Sequence, residues 1–155
     1  MNDKVVKELT ERAIAFLRGE DYNSLKPHSV MEEICTEMNV RFTETMVDGE
    51  ERKDPRFIAV PTFLSAIVLL DWVLLADERV YQLGKMLANI LDYINSEEVI
   101  NVDHFSTEVM GISQFIITSL SSVGKERMTT VGKAAYTSAV TAITFAAAEI
   151  ARVYC

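Results

Sequence analysis

The feature that most constrains this chain is a set of long, charge-poor stretches in its last two thirds. Phe57 to Ala76 carries one charged residue, Asp71, while Val109 to Val123 and Ala134 to Ala148 carry none. Phe63 to Ala76 is apolar on nearly every helical face, a pattern that demands burial on most sides. The uncharged runs of about 14–15 residues are too short to cross a bilayer alone, so they read as the inner helices of a bundle.

The rest of the composition agrees with that reading. Residues 1–56 hold 22 charged side chains against 16 in residues 57–155. The expected organisation is a single domain over 1–155, with a charged outer layer at 1–56 and apolar, core-forming helices at 57–155. A chain of 155 residues can bury about 68–70% of its unfolded surface, enough for a real core. High apolar content excludes intrinsic disorder, and two cysteines are too few for a disulfide scaffold. The fold class is mainly α: a compact helical bundle of about six helices.

Val6, Leu9, Ala13, Phe16 and Leu17 recur at helical spacing, which predicts an amphipathic helix over about 3–18. Gly19 suits the left-handed position just past its end. Ser29-Val30-Met31-Glu32 reads as a capping box opening a second helix, with Val30, Ile34 and Met38 facing inward. Val40 to Val47 is β-branched and leads to Asp48-Gly49, so a small β-hairpin around 40–60 competes with a charged loop. Pro61 fits the first turn of the next helix. Val80, Leu83, Leu87, Ile90, Leu91 and Ile94 continue a helical stripe, either in one long helix or in two with Asp77 as a cap. Asp103 is expected to cap a helix bearing Phe105, Val109, Ile112, Ile116, Leu120 and Val123. The last helix spans about Thr129 to Val153.

Phe57 to Ala76 has the length of a membrane span. Asp71 inside it, Pro61 near its start and mixed charges on both flanks favour a buried central helix instead. Free thiols and a charged amphipathic start in place of a leader point to the cytoplasm.

Chemistry-bearing patterns are sparse. His28–Glu32 and His104–Glu108 are i, i+4 pairs, but two ligands make half a metal site, and helix-start electrostatics explains them. Ser113 lacks the second glycine of a nucleophile elbow, and Cys35 reads as a small core residue. Gly124-Lys125 lacks the upstream glycine of a phosphate loop. Asp71 and Glu149, each set among apolar residues, are paired with an arginine, brought to the surface at the helix edge, or kept for acid–base work. No catalytic, cofactor or metal assignment follows.

Two features remain. Ala135, Ala139, Ala142 and Ala146, with Ser138 beside them, form a small-residue face that lets helices approach closely, within or between chains. Lys125, Arg127 and Lys133 form the one basic cluster of the second half, a solvated helix start or a contact to an anionic partner. The expected function is a non-enzymatic protein–protein interaction module: an adaptor, a regulator or a helical subunit of a larger assembly, pairing with itself or another protein. A net charge of −8 opposes free-standing nucleic-acid binding. A nucleoprotein subunit using Lys125, Arg127, Lys133, Arg52, Lys53 and Arg56 is the alternative. A ligand-binding or enzymatic domain with a pocket near Asp71 and Trp72 is the lower one.

Overall fold

The computed structural model describes residues 4–19, 27–46, 54–74, 77–96, 101–120 and 128–154. Among these there are six α-helices and no strand: α1 Lys4–Leu17, α2 Pro27–Met46, α3 Arg56–Leu74, α4 Glu78–Asn95, α5 Val102–Phe115 and α6 Thr130–Tyr154. A π-helical turn, Ile116–Leu120, extends α5. The fold is therefore mainly α.

The longest helix contact pairs α3 with α6. Val73 lies beside the position of Gly132, and Pro61 and Thr62 share a groove with Ala142, so the two run antiparallel. α1 lies antiparallel on α4. The Lys7 carbonyl accepts from the Asn95 amide at 3.2 Å, and Leu17 meets Gly84 at the other end. There a Cβ on Gly84 would sit 2.7 Å from the Leu17 carbonyl oxygen, so only glycine allows this approach. The core draws Val6, Phe16, Ile34, Phe63, Leu70, Leu87, Phe105 and Ile143 from all six helices. The five residues expected on the inner stripe of α1 are buried, and Gly19 follows it with φ of 84°.

Two helix starts share one device. Asp54 Oδ1 accepts from the Arg56 backbone N–H and Nε, each at 3.0 Å, and Oδ2 accepts from Nη2 at 2.7 Å. Asp77 repeats this with Arg79 at 2.9, 2.9 and 2.7 Å. Each Asp thus caps a helix and clamps the guanidinium two residues on. The first pair is buried, and Arg56 Nη1 donates onward to Asn95 Oδ1 at 2.8 Å, joining the start of α3 to the end of α4. The second is half exposed, and Arg79 Nη1 reaches the Ser119 carbonyl in the π turn at 3.3 Å.

The structure corrects several sequence expectations. The hairpin is absent from its described arms, since residues 40–46 complete α2 and 56–60 open α3; Asp48-Gly49 lies outside the described residues. Helix wins in 40–46 because Thr43 donates to the Asn39 carbonyl at 3.0 Å, Arg41 pairs with Glu44, and Phe42 packs edge-on against Phe57. α2 begins at Pro27, so Ser29 lies within its first turn and Glu32 pairs with His28 rather than reaching back. Pro61 is the sixth residue of α3 because the Asp54 cap starts the helix earlier. Asn101, not Asp103, caps α5, accepting from the His104 N–H at 3.1 Å. The run from 74 to 80 resolves into two helices, with Asp77 as the cap of α4.

Candidate functional site

The outward side of α6 is built from Val131, Ala134, Ser138, Thr141, Phe145 and Ala148, all exposed and all uncharged. Their spacing alternates three and four, which keeps them on one face along five turns of helix. Antiparallel to it, α3 turns outward Ile58, Thr62, Ser65, Leu69 and Trp72, also three and four apart. Trp72 is 61% exposed, Phe145 59% and Val131 68%. Between the two helices runs a groove of about 330 Å³, floored by Pro61, Thr62, Ser65, Ala66, Ser138, Ala139 and Ala142.

The small-residue stripe thus divides between interior and surface. Ala139 and Ala146 are buried, Ala135 and Ala142 are half-buried, and Ser138 is exposed. Its alanines supply the close α3–α6 approach, while Ser138 and Ala142 reach the groove. The outward seam lies about a quarter-turn round the helix. Sequence reasoning missed it because Phe145 and Val131 look like core residues until the neighbours of α6 are known.

α3 and α6 are both long and apolar enough to cross a membrane, a test that the core helices of soluble proteins also pass. Buried residues make up 39% and 33% of their most apolar stretches; on α3 the others are mostly half-buried, with Ile58, Ser65 and Trp72 exposed.

On the other side of α3, facing α2, a second groove of about 590 Å³ is lined by His28, Met31, Ser65, Val68, Leu69, Asp71 and Trp72. Asp71 is half-buried at the edge of α3 and pairs with no arginine among the described residues. Its Oδ1 is buried and accepts no hydrogen bond from any described residue. Burial first and the Asp71 charge second push the Tyr81 phenol up, so the field of that carboxylate extends to α4.

The remaining candidates are placed as follows. His28 Nε2 pairs with Glu32 at 3.0 Å and His104 Nε2 with Glu108 at 3.3 Å; among the described residues no three His, Cys, Asp or Glu side chains converge. Cys35 is a free, half-buried thiol, pushed up chiefly by burial and therefore a weak nucleophile at neutral pH. Ser113 is exposed on α5. Glu149 pairs with Arg152 at 3.0 Å near the surface. Lys133 is exposed off the α6 seam, whereas Lys125, Arg127, Arg52 and Lys53 lie outside the described residues. Arg56 is withdrawn from the basic set, because it is 1% exposed and bound to Asp54 and Asn95. No family model, curated protein or solved structure matches this chain.

Proposed function

We propose that this chain is a non-enzymatic, cytoplasmic interaction module whose α3–α6 face receives a helix from another protein or from a second copy. One observation carries the reading: two antiparallel helices present parallel, uncharged outward rows around a groove floored by small residues. Small residues let a third helix backbone come close, and the large side chains at the rim, Phe145 and Trp72, supply apolar area to bury. Ile58, Trp72, Val131 and Phe145 are large apolar side chains left exposed around this groove, which favours a contact surface. The free thiol of Cys35 suits a reducing compartment.

The test is light scattering on the purified chain, together with capture of partners on immobilised chain, before and after Phe145→Glu and Thr141→Lys. Lys85→Glu, on the exposed side of α4, is the control. Loss of a dimer or of a stoichiometric partner with the face variants alone is the expected result. A strict monomer that retains no partner, or retention equal for all variants, overturns the reading. Binding to lipid vesicles that depends on Phe145 overturns it in favour of a membrane surface.

A further inference from the structure

The α2–α3 groove carries a second signal: it shares Ser65, Leu69 and Trp72 with the outward row of α3, but its acid, Asp71, and its α2 wall belong to it alone. Its walls are apolar, formed by Met31, Val68, Leu69 and the exposed indole of Trp72. At its side lies Asp71, with one carboxylate oxygen buried and without a hydrogen-bond donor among the described residues. None of the described lining residues is Lys or Arg. The basic side chain on the rim, His28, already faces an acid of its own helix, Glu32, at 3.0 Å.

A carboxylate partly withdrawn from water is costly, and a cation held against the part of Asp71 that lines the groove offsets that cost through its charge. The groove volume falls within the roughly 300–1,000 Å³ typical of small-molecule sites. An indole and a carboxylate that line one groove also suit a cation with an apolar body, through both the ring and the charge. A neutral hydroxyl of the same shape can donate a hydrogen bond but lacks the charge, and an anionic ligand is repelled.

We propose that this groove binds a small organic ammonium ion, its N–H donated to Asp71 and its apolar body laid on Leu69 and Trp72. Trp72 is the one tryptophan of the chain, so its emission reads the site directly. The native protein is titrated with 2-phenylethylammonium, with uncharged 2-phenylethanol and with 3-phenylpropionate. The expected result is a saturable change with the ammonium probe and affinity for the alcohol and the acid at least about tenfold weaker. In Asp71→Asn, shown by circular dichroism to keep its helices, the ammonium and alcohol affinities converge. Equal affinity for the three probes, no saturable change up to the probe's solubility, or a preference that survives in Asp71→Asn overturns the proposal. The probe series on the native protein decides the question even where the variant fails to fold. Trp72 belongs to both sites, so the two readings are told apart by their variants: Phe145→Glu and Thr141→Lys on α6 test the docking face, and Asp71→Asn tests this groove.

Discussion

At the scale of single residues, the two Asp-x-Arg clamps are the same chemistry in different surroundings. Arg56 is buried with Asp54 and also holds Asn95, so removing its charge strands a carboxylate in the interior. Arg56→Met is expected to cost about 3–5 kcal/mol, measured by urea unfolding. Arg79→Met, on the half-exposed copy, is expected to cost far less. The Asp77 clamp also sets a pH dependence. Hydrogen bonds from Arg79 lower the Asp77 carboxyl from 3.8 to about 2. A depressed folded-state value contributes stability that is complete above the unfolded value and lost as the pH falls through the folded one. Asp77→Asn keeps the cap but not the charge. Its deficit in melting temperature against the native chain should be full at pH 6 and shrink between about pH 4 and 2. Both clamps stand in the sequence as Asp54-Pro55-Arg56 and Asp77-Glu78-Arg79. Asp77 is legible as a cap from its place before a helical stripe. Arg56 is not, because its further partner, Asn95, is distant in the chain.

At the scale of helices, periodicity revealed most of the architecture where one face was apolar and the other charged, as in α1 and α4. It failed where local preference and packing disagreed. Val40 to Val47 has β-branched residues, yet 40–46 stay helical because Phe42 finds Phe57, Thr43 finds the Asn39 carbonyl and Arg41 finds Glu44. The close crossing of α1 and α4 is another non-local feature, since Gly84 looks like an ordinary weak point inside a helix. Gly84→Ala should gain about 1 kcal/mol of helix propensity and lose more, because the new methyl meets backbone rather than a yielding side chain. The net outcome is a lowered melting temperature in a thermal scan; an increase would show that α1 can move aside. For the candidate sites, Asp71 was legible as an acid inside an apolar helix, with Trp72 beside it. The outward seam of α6 was not, because burial of an alanine or a phenylalanine depends on which helices lie beside it.

At the scale of the whole molecule, α1, α3 and α4 are joined through one polar chain, from Asp54 through Arg56 and Asn95 to the Lys7 carbonyl. α6 is bound to the same core through its long contact with α3. Unfolding is therefore expected to be one cooperative event, with calorimetric and van't Hoff enthalpies equal. Two separated transitions would instead divide the chain into independent units. The π turn at Ile116–Leu120 bears on how the length of such a chain can vary. Ile116 and Leu120 are both buried, and the residues between them, Ile117 to Ser119, are exposed or half-exposed. A π turn holds more residues than the α turn it replaces. Deleting Thr118 would leave Ile116 and Leu120 three apart in an ordinary α-helix, still side by side on one face. Descendants of this protein shorter by one residue at that point would keep their core, whereas the same deletion in the middle of α4 would turn half of its buried stripe toward water.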